Sequence, residues 1–74
     1  MTNELRFRMA ISADEALKYY KGQAHKVIVI ADNKQRIQFP AEHIRPFIDS
    51  LGVNGYFRIR FDSHNKLIGL ERID

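Results

Sequence analysis

Two stretches of this sequence alternate strictly between apolar and polar residues, which commits both of them to half-buried β-strands. In 4–11 and in 56–61 every second residue is apolar, and most of the residues between them are charged. Side chains on a strand point alternately to the two faces of a sheet, so one face packs on a core and the other meets solvent. The apolar set is Leu5, Phe7, Met9, Ile11, Phe57, Ile59 and Phe61.

The sequence also predicts two short helices. Ser12 and Glu15 have the spacing of a capping box, which begins a helix over about 13–21. A second apolar stripe recurs at i, i+3, i+4 and i+7 and predicts a helix that starts near His43, with Pro46 tolerated in its first turn. The members of that stripe are Ile44, Phe47, Ile48 and Leu51.

Three further strands complete the predicted fold. Residues 25–31 and 35–39 flank a polar turn and predict a hairpin, while 66–73 return as a last strand after 56–61. Both faces of 25–31 are apolar, which favours a strand covered on both sides. We therefore predict an α+β fold in the order β-α-β-β-α-β-β, with one five-stranded, mainly antiparallel, strongly curved sheet. Closure of that sheet into a small, partly open barrel is the alternative form of this prediction.

Length and charge narrow the class of protein. The chain has 74 residues, no cysteine and a formal net charge of +3. This length supports one core, so we expect a single domain over 1–74. The lack of cysteine excludes a disulfide scaffold and thiolate metal ligands. No apolar stretch is long enough to cross a bilayer and no targeting segment is visible, so we expect a cytoplasmic protein without a membrane partner.

The sequence predicts no catalytic, cofactor or metal site. His25, His43 and His64 lie apart and lack the spacing of helical metal ligands. The serines are explained as a cap, a helix end and a turn, and the glycines form no phosphate-binding motif. We therefore expect a non-enzymatic protein with no small-molecule substrate.

The polar side of the two alternating stretches carries the leading hypothesis, which is nucleic-acid binding. Arginines occupy alternate outward positions and one tyrosine shares their parity; the set, which we call the arginine face, is Arg6, Arg8, Tyr56, Arg58 and Arg60. Guanidinium groups bind phosphate bidentately, and aromatic rings stack on unpaired bases of RNA or DNA. The competing interpretation is a merely solvated face, on which Glu4 and Glu71 neutralise part of the charge by cross-strand pairing.

A second hypothesis is that the protein binds another protein or a second copy of itself. Some apolar residues lie on the opposite parity from the main core set of their strands, namely Val27, Val29, Leu67 and Ile73. Closure of the sheet, a helix or another chain has to cover them. If a partner does so, the chain is an interaction module or a homodimer.

Three segments of the sequence resemble a known family. They are Tyr19-Tyr20-Lys21-Gly22-Gln23-Ala24, Ile37-Gln38-Phe39-Pro40-Ala41 and Ile44-Arg45-Pro46-Phe47. Together they resemble a family of small bacterial proteins known as domain of unknown function 2835, with similarity from about Leu5 to the end of the chain. The resemblance implies a free-standing bacterial domain and carries no functional residues across.

Overall fold

A computed structural model describes residues 3–74, in which five strands, one α-helix and two 3₁₀ turns are present. In chain order they are β1 (Asn3–Ile11), α1 (Ala13–Tyr20), β2 (Lys26–Ile30), β3 (Arg36–Pro40), the 3₁₀ turns Ala41–His43 and Arg45–Phe47, β4 (Val53–Phe61) and β5 (Leu67–Arg72). The strands form two antiparallel sheets, one in the order β1-β4-β5 and one of β2 and β3. The predicted α+β class with five antiparallel strands is confirmed.

The prediction of one five-stranded sheet is wrong, and neither sheet closes into a barrel. Within residues 3–74, one backbone hydrogen bond joins β1 to the β2–β3 hairpin, from the Asp32 N–H to the Arg6 carbonyl at 2.8 Å. Alternation records which residues face the core, but it does not record which strands are neighbours. The division into two sheets was therefore not visible in the sequence pattern.

The core lies on one side of the three-stranded sheet, and aromatic rings from β1 and β4 form its centre. Phe7 and Phe57 are fully buried and stack with ring centroids 5.8 Å apart. Phe47 meets Phe57 edge-on at 5.2 Å, and Phe39 of β3 lies 6.1 Å from Phe7. The hairpin and the 3₁₀ turns thus share one apolar cluster with the three-stranded sheet.

The first helix begins where the sequence predicts. The Ser12 hydroxyl accepts a hydrogen bond from the Glu15 N–H at 3.2 Å, which satisfies one of the free donors of the first turn. Ala16 is the buried residue of this helix, and Gly22 follows it with φ of +78°. A left-handed glycine is a common way to end a helix.

The second helix is not an α-helix, which corrects the prediction for 43–51. Two 3₁₀ turns take its place, and Pro46 lies at the start of the second one. Ile44 is fully buried, but Leu51 at the other end of the apolar stripe is 75% exposed. A helix of two turns with a proline in it gains too few hydrogen bonds to offset the cost of nucleation, so the segment folds as separate tight turns.

The side of β2 that packs on the core is the opposite of the one that the sequence indicated. Val27 is buried and Val29 packs partly on the core, whereas Ile28 and Ile30 are 49% and 56% exposed. The expected cover on both faces is therefore wrong, because β2 pairs with β3 alone and one face of this hairpin meets solvent. Four consecutive β-branched residues gave no periodicity from which the inward face could be read.

In β5 a bulge resolves the mixed parity of the apolar residues. The register between β4 and β5 shifts between Arg60 and Phe61, so that Phe61 pairs with Leu67 while Ile59 pairs with Leu70. One extra residue in a strand reverses its alternation, so both leucines pack against the core. Ile68 lies at the bulge and is 49% exposed.

Candidate nucleic-acid interface

The register of β1 and β4 brings the five predicted site residues onto one side of the three-stranded sheet. Arg6 lies directly opposite Arg58, and Arg8 lies opposite Tyr56. Arg60 is two residues beyond Arg58 on β4 and therefore faces the same way. Their neighbours in sequence, Phe7 and Phe57, point to the core. The arginine face is thus on the side of the sheet away from the core.

Two glutamates lie among these arginines and form ion pairs with them. Glu4 contacts the Arg6 guanidinium at 3.0 Å and the Nε of Arg58 at 4.0 Å. Glu71 of β5 binds Arg58 at 2.9 Å and Arg60 at 2.7 Å. The predicted pairing of these two carboxylates with the arginines is present, within β1 for Glu4 and Arg6 and across strands for the other pairs. These ion pairs also separate the like charges of Arg6 and Arg58, which face each other across the ladder.

The hydrogen bonds to Glu71 affect its protonation. The pKa of the Glu71 carboxyl is lowered from its ordinary value near 4.5, first by the hydrogen bond from Arg58 and then by the charges of Arg58 and Arg60. The carboxylate therefore stays ionised throughout the neutral range. Any phosphate that binds Arg58 or Arg60 has to compete with this charge.

Arg8 makes a different contact from the other three arginines. Its guanidinium carbon lies 5.5 Å from the centre of the Tyr56 ring, within the range of a cation–π interaction. Within residues 3–74 no carboxylate forms an ion pair with Arg8, and the residue is exposed to solvent. Arg8 is the arginine of this face with the most freedom to meet an anionic ligand.

Tyr56 links the arginine face to the neighbouring hairpin. Its hydroxyl donates a hydrogen bond to the Asp32 carboxylate, which lies in the turn between β2 and β3. This hydrogen bond raises the pKa of the Tyr56 hydroxyl above its ordinary value near 10.0, and the nearby negative charge adds to the effect. The ring is consequently held in place by Asp32 at one end and by Arg8 over its face.

Gly69 gives Arg60 the space that it occupies. Gly69 lies opposite Arg60 in the ladder, and a Cβ at this position would come within 2.9 Å of the Arg60 Nη2. The Arg60 side chain therefore lies across β5 and reaches Glu71. The Nε atoms of Arg58 and Arg60 are shielded from solvent and have no acceptor among residues 3–74. The network leaves some hydrogen-bonding capacity unused.

Sequence reasoning found the five residues of the face but missed two that shape it. Asp32 was interpreted only as a turn residue, because its contact with Tyr56 joins positions that are 24 residues apart. Gly69 was considered only among the glycines that form no phosphate-binding motif, whereas its lack of a side chain makes room for Arg60. A signal for Gly69 was present in the sequence, since an interior strand glycine often marks a close approach of another group.

Other kinds of site receive no support from the described part of the chain. No cluster of three or more metal-binding side chains occurs in residues 3–74. The helical segments of 3–74 are all too short or too polar to cross a membrane. Two surface clefts of about 510 and 530 Å³ are open grooves at the edges of the sheets.

These features define a small α+β protein with a network of arginine–glutamate ion pairs on an open sheet face. The chain belongs to the family described as Protein of unknown function (DUF2835), which it matches over residues 3–73. Neither the search of curated proteins nor the search of solved structures found a match. The family assignment confirms the resemblance and leaves the function to be argued from the residues.

Proposed function

We propose that this protein binds single-stranded nucleic acid through the arginine face. The observation that carries the proposal is the register of β1 and β4, which sets Arg6 opposite Arg58 and Arg8 opposite Tyr56 on an exposed side of the sheet. This face carries four guanidinium groups and two glutamate carboxylates, so it keeps an excess of positive charge. Its role is binding rather than catalysis, and the polymer backbone is the ligand that supplies several phosphates at once.

The chemistry of the side chains favours a single strand over a duplex. Each guanidinium carries five donors in a planar fork, and the ion pairs with Glu4 and Glu71 use only part of them. Phosphate oxygens can therefore bind at the free edges of Arg6, Arg58 and Arg60. The Arg8 guanidinium, which already lies over the Tyr56 ring, can stack on an unpaired base.

Salt dependence is the first test of this proposal. Fluorescence anisotropy with a labelled 12-nucleotide RNA and a DNA of the same sequence measures affinity at about 50 and 200 mM salt. If three phosphates are neutralised, affinity for a single strand falls about 20-fold over this range. The same oligonucleotides annealed to their complements provide the comparison with duplexes. Affinity that does not respond to salt would contradict the proposal.

A pair of double variants locates the interface. Arg58→Ala with Arg60→Ala removes two phosphate partners and is expected to reduce the slope of log affinity against log salt by about 1.4. Lys18→Ala with Lys21→Ala removes the same charge from α1 and its C-terminal cap, which contribute nothing to the sheet face. The control pair should leave the slope nearly unchanged. Equal losses in the two pairs would indicate attraction by net charge alone.

Glu71→Gln separates a binding face from a merely solvated one. It removes the carboxylate that competes for Arg58 and Arg60, so affinity for the oligonucleotide is expected to rise by up to about fivefold, the equivalent of one exposed ion pair. A face without a binding role predicts no change. A loss of affinity would show that the Glu71 carboxylate positions the arginines for the ligand.

Protein interaction, including self-association, is the second candidate function. Ile28 and Ile30 favour it, because two neighbouring outward positions of β2 expose large apolar side chains. Light scattering across a concentration series distinguishes self-association from a monomer. A monomer at every concentration would leave only a different protein as the partner.

A further inference from the structure

The gap between β1 and β2, which we call the seam, combines unpaired strand edges with exposed apolar side chains. The Asp32 N–H reaches the Arg6 carbonyl at one end of it. From this hydrogen bond β1 runs toward Ile11 while β2 extends toward Lys26, and the two strands flank a groove of about 510 Å³. Residues 8–11 of β1 and 27–30 of β2 line the groove, and Ser12, Glu15 and Tyr19 of α1 and its N-terminal cap line it as well. The two edges are antiparallel, and within residues 3–74 they form no ladder beyond this hydrogen bond.

The backbone groups of both edges point into this groove. In an antiparallel pair, residues alternate between bonding the partner and facing away from it. The Arg6 carbonyl is bonded by Asp32 and thus faces away from β4, so Arg8 and Ala10, of the same parity, also direct their N–H and C=O groups to the seam. In the hairpin Ala31 bonds Gln35, so the groups of Ile28 and Ile30 face away from β3.

The other edges are protected against pairing, whereas the seam is not. The free edge of β3 belongs to Arg36, Gln38 and Pro40, two polar residues and one that lacks an N–H. The edge strand β5 carries the bulge beside Phe61, which interrupts a regular ladder. Along the seam, β2 instead presents Ile28 and Ile30. Edges that are left open in this way are the ones to which extended segments add.

We propose that the seam binds an extended segment of another protein, which adds as a strand to the edge of β2. The segment carries apolar residues at every second position, because they cover Ile28 and Ile30 on the outward side. It carries an acidic residue beside Arg8, which lines the groove and has no ion pair within residues 3–74. This inference rests on the protein-interaction candidate and names its partner; it shares Arg8, and no other residue of the arginine face, with the nucleic-acid proposal.

Selection from a displayed library of random decapeptides tests the proposal on the full chain. The expected peptides alternate apolar and polar residues and include an acidic one. Their affinity should fall at least tenfold for Ile28→Lys and stay within twofold for Gln38→Lys. Gln38 lies directly opposite Ile28 in the hairpin and is equally open to solvent, so the control adds the same charge on the same face.

Hydrogen exchange of the backbone amides gives a second readout. A bound segment should slow exchange at least tenfold at Ile28 and Ile30, whose N–H groups face away from β3 and have no backbone partner within residues 3–74. Failure to enrich any peptide, or protection that appears only at other amides, would overturn the proposal.

Self-association separates the proposal from the candidate function on which it rests. If the same amides become protected on raising the protein concentration without peptide, a second copy occupies the seam; the proposal then fails while protein interaction stands. If the chain stays monomeric and no peptide binds, both fail.

Discussion

The two faces of the β1–β4 pair are built from the same strands but are held by different forces. On the inner face, Phe7 and Phe57 lie opposite each other, fully buried and stacked. On the outer face, the adjacent residues Arg6 and Arg58 lie opposite each other, partly or fully exposed, and both form ion pairs with Glu4. Burial of an aromatic ring stabilises a fold by several kcal/mol, whereas an exposed ion pair contributes about 0–1 kcal/mol.

This difference distinguishes the residues that the fold requires from those that it does not require. The inner face is determined by what it has to pack against. The outer face adds little to stability, and many uncharged polar residues would serve a solvent-facing strand equally well. Four arginines arranged in two opposed strands therefore need another explanation, and binding of an anionic partner is the one that we propose.

The largest expected effect comes from removing an inner aromatic ring. Phe57→Ala leaves a cavity beside Phe7 and Phe47 and should lower the free energy of unfolding by about 3–5 kcal/mol. For a chain of this length that is a large part of the total stability. Urea denaturation followed by circular dichroism measures the loss. The milder Phe57→Leu should lose less, and equal losses would argue against a cavity effect.

A glycine at the end of the inner face gives the next largest effect. Gly52 has φ of +102°, and a Cβ there would lie 1.9 Å from the Ile11 carbonyl oxygen. Gly52→Ala should cost more than the roughly 1–3 kcal/mol that the backbone conformation alone explains, because the clash is with backbone atoms. Gly22→Ala is the matched control, since Gly22 also has positive φ but nothing lies within 4 Å of its Cβ position. Similar losses in thermal stability for both variants would contradict the clash.

Variants of the outer face should have much smaller effects on stability. Arg58→Ala removes the ion pairs with Glu4 and Glu71 and is expected to change the free energy of unfolding by about 0–1 kcal/mol. Urea denaturation under the conditions used for Phe57→Ala provides the measurement. A loss as large as that of Phe57→Ala would remove the distinction between the two faces.

The pH dependence of Glu71 gives the finest test of the comparison. Its pKa is lowered in the folded protein, so its contribution to stability is present above the unfolded value near 4.5 and is lost as pH falls through the lower folded value. The difference in unfolding free energy between wild type and Glu71→Gln should therefore shrink below about pH 4.5. Denaturation at a series of pH values measures it. Glu42→Gln, whose carboxylate makes no ion pair within residues 3–74, is the control.

Much of the secondary structure was predictable because short-range rules decided it. Alternation identified β1 and β4, and the Ser12–Glu15 spacing identified the start of α1. The second helix failed because an apolar stripe was given more weight than Pro46, although the stripe is too short to nucleate a helix with a proline in it. Local patterns were reliable where no competing rule applied.

The arrangement of the strands and part of the site depended on long-range contacts. Parity alone put the five residues of the arginine face on outward positions, and the antiparallel register then brought them together. The Tyr56–Asp32 hydrogen bond and the division of the strands into two sheets join distant segments. No periodicity records such contacts, so they could not be read from the sequence.

The turn residue Asp32 holds two connections at once, which has a mechanical consequence. Its backbone N–H is bonded to β1, and its carboxylate accepts from Tyr56 on β4. The hairpin is therefore hydrogen-bonded to the larger sheet at this corner, while apolar packing of Val27, Ile37 and Phe39 holds the rest of it. A ligand that takes the Tyr56 hydroxyl from Asp32 would remove one of these two connections and leave the backbone hydrogen bond from Asp32 to Arg6 in place.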